Sequence, residues 1–468
     1  MWKGQKKWCW KEPEGCFSVG VRSACQRSRF YAGPSYFGAA GRLRLQLGSA
    51  ERVGRRAAPL GAGEGGKDMG QKRVLVINQY FPPDTAATAK VIARLVTYLS
   101  RYFAVTVLAG RPSYNPTERH PFYLSRREWF GTVRVERVGS TVLPRYRMRW
   151  RLSNYLSYLA LALPKALTLP ADVIITMTDP PLACLIGALV ARWRRLPFIY
   201  NIRDLHPEMA IAAGLISPCQ WTESWDRLHH WAMQQADWVV VLGEDMRERV
   251  MSKGVLPQKI AIVRDGVPIP ADLPPPDHPI AQQLRRGFPF VLMHAGNLGF
   301  YGAWETIIMA AQQVQDEGIG LIFVGDGACK EYLLSLAKGI SNIQFLPFRP
   351  QKEVPFVLAA PDIHTVTLKR GMEGLIVPSK LYPILGAGKP VLVVAPENSD
   401  PARIVQRAGC GLVVDPDDPT EVARALRWAR QNPEALRAMG QRAREIAPEF
   451  SADRHFQKFA ELIAQTIA

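Results

Sequence analysis

The stretch RVLVINQYFPPDTAATAKVIARLVTYLSRYFAVTVLAG, residues 73–110, decides the class of fold. It begins with an apolar run at residues 74–77 and ends with a second one at residues 104–110. Between them, apolar residues recur every three or four positions, which is the spacing of one face of a helix. Short strands that are apolar on both faces and alternate with amphipathic helices indicate a parallel sheet covered by helices. The stretch therefore predicts the first strand, helix and strand of an α/β domain.

The same alternation continues along the chain and is interrupted once. Runs such as PFIYNIRD and ADWVVVLG precede a proline-rich segment at residues 265–287, which we interpret as a linker. The alternation then starts again with FVLMHAGNLG and GLIFVGDG. We therefore predict two Rossmann-like parallel-sheet domains, residues 69–270 and 271–450, and a C-terminal helix, residues 451–468, that crosses back to the first domain. Ligands of such sheets bind at the carboxyl ends of the strands, so a cleft between the domains is the expected site.

Residues 1–68 have a different composition from the rest of the chain. They contain 13 Lys and Arg against 5 Asp and Glu, within a formal net charge of +18 for the whole chain, and they lack helical or strand periodicity. We expect a disordered basic extension. One interpretation is an over-extended reading frame with Met69 as the initiator, and the other is an Arg-rich targeting peptide.

Composition also narrows the class of protein. Hydrophobic residues make up 47% of the chain, and no apolar run approaches the roughly 20 residues that span a bilayer, so an integral membrane protein is not expected. The 7 cysteines form no C-x-x-C pair and have no metal-ligand spacing, which favours a cytoplasmic protein. The positive charge suggests an anionic partner, but no nucleic-acid-binding signature accompanies it, so no nucleic-acid partner is expected.

Several motifs occur in an order and at a spacing that together are specific. They are NQYFPPDTAATAK (78–90), RDLHPEMAIAAGL (203–215), HAGNLG (294–299), FVGDGACKEYL (323–333) and VPSKLYPILGAGKPV (377–391). From residue 72 to 468, the chain resembles the retaining glycosyltransferases of family 4, which have the GT-B fold. Within this family it looks most like the bacterial transferases of surface-polysaccharide assembly of the fucosamine-transferase and colanic-acid type.

The resemblance implies an activity and a set of substrates. The expected reaction moves a sugar from a UDP-, GDP- or dTDP-sugar to a glycan or polyprenyl-linked acceptor with retained configuration, in cell-surface polysaccharide or lipopolysaccharide biosynthesis. No metal or other cofactor is expected, because helix N-termini and cationic side chains can supply the positive potential. A sugar-nucleotide 2-epimerase, which shares the two-domain fold, is the alternative.

The resemblance implies that the second domain binds the donor. The departing diphosphate gains charge as the anomeric bond breaks, and we expect Lys380 to neutralise it as a catalytic residue. Ser379 would cap the helix that follows, and Glu373 would bind hydroxyl groups of the sugar. Small residues in two loops would let the backbone approach the donor; they are Gly296, Asn297, Gly299, Gly325 and Gly327. The alternatives are a solvated first-turn lysine at 380 and a plain strand-to-helix turn at 325–327.

The chain departs from the family pattern in two places. The second of the two family glutamates, which contacts the ribose, aligns with Pro383. Family members often have a cation just after the loop GNLG, residues 296–299, whereas this chain has Phe300, Tyr301 and Gly302 there. Ribose recognition must therefore come from elsewhere or from the backbone, and a cationic pair at the phosphate is not expected.

The first domain would bind the acceptor. The motif that follows the strand PFIY carries Asp204 and His206, for which the resemblance implies catalytic roles in activating the acceptor hydroxyl. The alternative for Asp204 is the N-cap of the next helix. Asp84 or Thr85 is expected to cap an earlier helix. The residues expected to bind the acceptor are Asp84, Thr85, Arg203 and Glu208.

A basic and aromatic segment, residues 145–170, suggests a membrane contact. It combines four arginines and Trp150 with an apolar stretch. Such a helix can lie in the membrane interface, where lipid-linked acceptors are found. We therefore expect a cytoplasmic protein with peripheral contact at the inner face of the membrane. A partly buried domain helix with a solvated basic end is the alternative.

Overall fold

The computed structural model of the chain describes residues 71–113, 121–143, 148–267 and 273–468. The extension expected at residues 1–68 lies outside these ranges. The described residues form two sheets flanked by helices, one in each half of the chain. The α/β class with two Rossmann-like domains is therefore confirmed.

The first domain is built on an eight-stranded sheet with the strand order β3-β4-β2-β1-β5-β6-β7-β8. Its strands pair in parallel except β3, which runs antiparallel to β4 at one edge. The strands are β1 (Arg73–Ile77), β2 (Ala104–Gly110), β3 (Ser125–Phe130), β4 (Val133–Val138), β5 (Val173–Thr176), β6 (Phe198–Asn201), β7 (Trp238–Val241) and β8 (Ile260–Ile262). The helices are α1 (Ala87–Leu99), α2 (Met148–Thr168), α3 (Ala183–Arg194), α4 (Glu208–Ala212), α5 (Gln220–Gln235) and α6 (Glu244–Ser252).

The second domain contains a six-stranded parallel sheet with the strand order β11-β10-β9-β12-β13-β14. The strands are β9 (Phe290–Ala295), β10 (Ile319–Val324), β11 (Ile343–Leu346), β12 (Ile363–Thr367), β13 (Val391–Val394) and β14 (Gly411–Val414). The helices are α7 (Pro279–Arg285), α8 (Trp304–Gln313), α9 (Lys330–Leu336), α10 (Val354–Ala359), α11 (Leu381–Gly386), α12 (Asp400–Ala408), α13 (Pro419–Gln431) and α14 (Pro433–Ile446). The last helix of the chain, α15 (Ala452–Thr466), follows the second domain.

Successive side chains of β1 enter different hydrophobic cores, one on each face of the sheet. Leu75 and Ile77 pack in one core, whereas Val74 and Val76 pack in the other. All four are fully or almost fully buried. Because side chains alternate along a strand, a run that is apolar at every position must be covered on both faces. This is why the continuous apolar runs of the sequence form central parallel strands.

The segment interpreted as a linker contains a helix in its second half. Residues 279–285 form α7, and Ala281 and Leu284 are buried in the second domain. Pro279 occupies the first turn of this helix, where the missing N–H costs nothing. The connection between the domains is therefore shorter than the proline-rich composition indicated.

The C-terminal helix α15 packs on the first domain, as expected. Phe456, Phe459 and Ile463 belong to the same core as Val74 and Val96. The chain thus returns to its first sheet after completing the second domain. No helix within the described ranges is long and apolar enough to cross a membrane.

The return of α15 makes a prediction about stability. Phe459 is 1% exposed, so Phe459→Ala should lower the free energy of unfolding by about 3–5 kcal/mol, measured by urea denaturation. Phe348 is 60% exposed, and Phe348→Ala should change it by no more than about 0.5 kcal/mol. Equal effects of the two substitutions would contradict the docking of α15.

Candidate active site

Lys380 is the residue directly before α11, and its side chain reaches the carboxyl end of β9. Its Nζ is 2.8 Å from His294 Nε2, 3.0 Å from the Asn297 carbonyl oxygen and 3.1 Å from the Tyr301 hydroxyl oxygen. Burial lowers the pKa of Lys380 to about 7 and the pKa of His294 well below its usual value. The imidazole is therefore neutral and can accept a hydrogen bond. An ammonium has three N–H bonds, and all three of these bonds have an acceptor here.

Glycines allow two loops and Lys380 to pack closely. A Cβ on Gly296 would lie 2.4 Å from Lys380 Cε, and Gly296 has a φ of +139°, which disfavours any other residue. A Cβ on Gly325 would lie 2.0 Å from the Gly296 carbonyl oxygen, and one on Gly327 would lie 2.4 Å from the Leu298 carbonyl oxygen. The loops after β9 and β10 therefore pack backbone against backbone beside the lysine, which brings the predicted donor residues of these two loops together.

Two other predicted donor residues have a different local setting. Ser379 is exposed and does not cap α11, because the helix begins at Leu381 with Lys380 at the N-cap and no capping side-chain hydrogen bond. The expectation of a serine cap is therefore wrong. Glu373 is half-buried, and its Oε2 accepts a hydrogen bond of 2.8 Å from the N–H of Gly371. Donor binding by both residues stays a prediction.

Two aspartates connect the domains at the N-termini of α6 and α12. Asp245 Oδ2 accepts hydrogen bonds from the N–H of Asp400, at 2.9 Å, and from the N–H of Gly374, at 3.1 Å. In return, Asp400 Oδ1 accepts the N–H of Glu244 at 2.9 Å. Arg264 donates to the same Asp400 oxygen at 2.7 Å. Each carboxylate thus supplies an acceptor to the first turn of a helix in the other domain, where N–H groups lack partners.

Asp204 lies where the two domains meet. It forms an isolated antiparallel bridge with Ile376, and the next residue, Leu205, donates its N–H to the Leu375 carbonyl at 2.8 Å. Helix α4 begins later, with Pro207 at the N-cap, so Asp204 does not cap it. Burial and the nearby charge of Asp179 raise the pKa of Asp204 to about 7. The carboxyl group can therefore hold or release a proton near neutral pH.

The other charged residues of this motif have partners of their own. Arg203 is 8% exposed and forms an ion pair with Asp265. Glu208 lies in the first turn of α4 and forms an ion pair with Lys253. Both pairs neutralise charge within the first domain. Acceptor binding by Arg203 and Glu208 stays a prediction, with a competing structural role for each.

His206 stands apart from this charged cluster. Its ring stacks on Trp225 at a centroid distance of 5.6 Å and lines an apolar cavity of the first domain. Burial and the charge of Arg151 lower the pKa of His206 to about 4, so the imidazole is neutral at physiological pH. A neutral imidazole can accept a proton, but this one faces hydrocarbon. Its catalytic role stays a prediction.

The loop before α1 also differs from expectation in its capping. Helix α1 has Ala86 at the N-cap and no capping side-chain hydrogen bond, so neither Asp84 nor Thr85 caps it. Asp84 is buried, and its Oδ1 accepts the N–H of Ser113 at 2.9 Å, which joins the loops after β1 and β2. Thr85 is exposed. Acceptor binding by this pair stays a prediction.

Parts of the predicted basic segment lie outside the described residues. Arg145 and Arg147 belong to residues 144–147, and the side chain of Arg149 is also outside the description. Arg151 is described and contacts the Tyr155 hydroxyl at 2.9 Å. Among the described residues, no group of three or more His, Cys, Asp or Glu could hold a metal ion.

Sequence reasoning missed three residues that shape the site. His294 interrupts the apolar run of β9 just before the glycine loop, and this polar residue in a buried strand was the available signal. Asp245 and Asp400 each occupy the first turn of a helix, but nothing local indicates that each carboxylate serves the other domain. Their pairing depends on how the two domains meet.

The fold and the order of these loops agree with two protein-family models. Residues 87–266 match the glycosyl transferase 4-like domain, and residues 280–446 match the glycosyl transferases group 1 domain. Together the two matches cover most of the described chain. The chain belongs to the family 4 glycosyltransferases.

Two curated relatives match parts of the chain. WbjE of Pseudomonas aeruginosa, which is named as a glycosyltransferase, is 29% identical over 264 residues, covering 54% of this chain and 65% of WbjE. WcaI of Escherichia coli strain K12, which is named for colanic acid biosynthesis, is 29% identical over 142 residues, covering 30% of this chain and 35% of WcaI. The matches thus span less than two thirds of either relative.

Solved structures of glycosyltransferases share the fold. HepE of Anabaena, solved in complex with UDP, has a TM-score of 0.62 at 17% identity and covers 84% of this chain and 100% of HepE. Sucrose-phosphate synthase of Thermosynechococcus elongatus has a TM-score of 0.67 at 14% identity and covers 84% of this chain and 99% of the synthase. The described domains therefore have the GT-B architecture.

The environment of Lys380 predicts a pH-dependent stability. Its pKa is about 7 in the folded chain, below the value of about 10.4 of an unfolded lysine, so between these values the unfolded chain binds more protons. The free energy of unfolding should therefore rise with pH, by up to about 1.4 kcal/mol per pH unit above pH 7, relative to Lys380→Met. Urea denaturation of both proteins at pH 7, 8 and 9 measures this difference.

The exposed Lys352 provides a matched control. Lys352→Met should differ from the wild-type protein by the same amount at each pH. A constant difference for Lys380→Met as well would show that the Lys380 amine keeps an ordinary pKa.

Proposed function

We propose that this chain transfers a sugar from a nucleoside diphosphate sugar to a glycan or lipid-linked acceptor, with retained configuration, in cell-surface polysaccharide biosynthesis. The observation that carries the proposal is the position of Lys380, whose amine lies over Gly296 and donates to the Asn297 carbonyl oxygen in the glycine-containing loop after β9. Family membership supports the transferase class. HepE has this fold and was solved with UDP and with UDP-glucose, which supports a nucleotide-sugar donor.

In this reaction the donor lies against the loops after β9 and β10. The bond between the anomeric carbon and the phosphate oxygen breaks, and the departing diphosphate takes the electron pair. Lys380 neutralises that growing charge, which favours the transition state over the bound donor. Its ammonium exchanges one protein acceptor for a phosphate oxygen. The Tyr301 hydroxyl, at 3.1 Å the most distant of the three, is the acceptor that we expect it to release.

The remaining roles follow from the neighbouring segments. Glu373 precedes the segment 375–376 that pairs with Asp204 and Leu205, so it lies close to the junction of the two domains and binds sugar hydroxyls there. Asp204 holds the acceptor hydroxyl and can take its proton near neutral pH. The acceptor attacks from the face that the diphosphate leaves, which retains the configuration. The donor carries UDP, GDP or dTDP, and the reaction needs no metal.

Lys380→Ala tests the proposal. Turnover should fall about 30- to 1,000-fold, as for the loss of roughly 2–4 kcal/mol of transition-state stabilisation, and the donor KM should rise less. The assay measures acceptor-dependent release of nucleoside diphosphate from a panel of UDP-, GDP- and dTDP-sugars in the presence of EDTA.

Lys352→Ala, which removes an exposed lysine of the same domain, should keep wild-type turnover. Normal turnover of Lys380→Ala would place the stabilisation of the phosphate elsewhere. Turnover that only Mn²⁺ or Mg²⁺ restores would reject the metal-free mechanism. Conversion of the sugar nucleotide without any acceptor would favour the epimerase alternative.

A peripheral membrane contact is part of the proposal. Helices α2 and α3 pack side by side, and they expose Leu156, Leu189 and Trp193, the last at 82%. The exposed Arg192 and Arg195 flank the tryptophan. Aromatic and basic side chains on one surface favour contact with an anionic bilayer.

Trp193→Ser should reduce co-sedimentation with vesicles of phosphatidylglycerol and phosphatidylcholine. Phe348 is 60% exposed in the other domain, and Phe348→Ser is the matched control that should leave co-sedimentation unchanged. Equal vesicle binding by the wild-type protein and Trp193→Ser would contradict a contact through this surface.

A further inference from the structure

The first domain contains a cavity of about 130 Å³ behind residues 203–208, which we call the acceptor loop because they carry Arg203, Asp204, His206 and Glu208. It lies between α2, the segment after β5, α4 and the start of α5. Most of its lining is hydrocarbon: Leu152, Leu156, Leu159, Met209, Leu215 and Ile216. Well-packed interiors contain few voids larger than a water molecule, so an apolar cavity of this size beside a candidate active site suggests an apolar ligand.

Two buried polar atoms near the cavity lack partners. Trp225 is 9% exposed, and its Nε1 has no hydrogen-bond acceptor. The Nδ1 of His206, whose ring stacks on Trp225, has no partner either. Buried polar groups are normally paired, because an unpaired donor or acceptor loses its hydration without compensation. Both residues line the cavity, so a polar group of a bound ligand could satisfy these atoms.

Arg151 places a positive charge at the same cavity. Its Nε donates to the Tyr155 hydroxyl at 2.9 Å, and it forms no salt bridge with a carboxylate within the described residues. Its charge acts on Asp179 through space and on His206, whose pKa it lowers. A half-buried guanidinium that lacks a contacting carboxylate matches the geometry of a phosphate, which it can bind through two N–H groups.

We propose that this cavity binds a phosphate-bearing amphiphile, with its hydrocarbon chain against the apolar lining and its phosphate on Arg151. The inference rests on the proposed transferase function for one point only: the amphiphile is the lipid that carries the acceptor sugar. His206 lines the cavity and lies two residues from Asp204, so a headgroup at Arg151 is near the acceptor loop. Leu156 is 53% exposed and Trp221 is 42% exposed at the cavity, where a longer chain would leave it.

Binding of decyl phosphate by isothermal titration calorimetry, at concentrations below those at which it forms micelles, tests the site. The wild-type protein should bind decyl phosphate more tightly than decanol and much more tightly than inorganic phosphate. Shortening the chain should weaken binding by up to about fourfold per CH₂ group, the value expected for burying one methylene.

Variants separate the two parts of the ligand. Ala210→Phe fills the cavity and should weaken the binding of decyl phosphate at least about tenfold. Leu215→Trp should weaken the binding as well. Arg151→Gln should weaken the binding of decyl phosphate about 10- to 100-fold, the range for a charged hydrogen bond, and leave the binding of decanol unchanged. Arg424→Gln removes an exposed arginine of the second domain and should bind like the wild-type protein. Melting temperatures identify any variant that fails to fold.

Equal affinity for decyl phosphate and inorganic phosphate would overturn the inference. So would unchanged binding in well-folded Ala210→Phe and Leu215→Trp, or equal losses in Arg151→Gln and Arg424→Gln. Failure of the proposed function would look different: decyl phosphate would bind with the expected variant pattern, but no sugar transfer would occur with any nucleotide sugar. That result would reject the transferase proposal and leave the ligand class of the cavity standing.

Discussion

Asp245 in the first domain accepts the N–H of Asp400 in the second, and Asp400 accepts the N–H of Glu244 in the first. Hydrogen bonds to a charged acceptor contribute about 1.5–3 kcal/mol each when they are buried. The two acids also repel each other, and burial together with Asp400 raises the pKa of Asp245 to about 6. Arg264, bonded to Asp400, offsets part of this repulsion. The exchange thus holds the start of α6 against the start of α12.

The position of the loop that carries Glu373 and Gly374 follows from this contact. Gly374, with a φ of +73°, donates its N–H to Asp245, and a Cβ there would lie 2.7 Å from the Asp245 carbonyl oxygen. Only a glycine therefore lets the loop approach α6 so closely. One residue further, Leu375 accepts the N–H of Leu205 from the acceptor loop. Glu373 and Asp204 are thus held on two segments that bond directly to each other, although each segment belongs to a different sheet.

The features that could be predicted from the sequence depend on local patterns. Apolar runs and helical spacing identify parallel strands and covering helices, because burial on both faces acts on each element separately. The predictions of helix caps failed because a cap depends on the residue at which the helix begins. Ser379 and Thr85 each lie one residue before the N-cap of the helix that they were expected to cap. The partners of Arg203 and Glu208 are 62 and 45 residues away, at Asp265 and Lys253, and no local pattern indicates them.

The site also differs from its family pattern in a way that has a physical consequence. Tyr301 occupies the region where relatives often place a cation, and its hydroxyl accepts a hydrogen bond from Lys380. The ammonium therefore reaches the loop at residues 296–299 from the start of α11. All of its N–H groups are already hydrogen-bonded to protein acceptors. A diphosphate must compete with the Tyr301 hydroxyl for one N–H of Lys380, and its negative charge favours this exchange. The same charge also favours the protonated form of Lys380, whose pKa is about 7 without the donor. In the proposed reaction, donor binding and protonation of Lys380 are thus linked. The fraction of Lys380 that carries a positive charge therefore depends on the substrate that this charge stabilises.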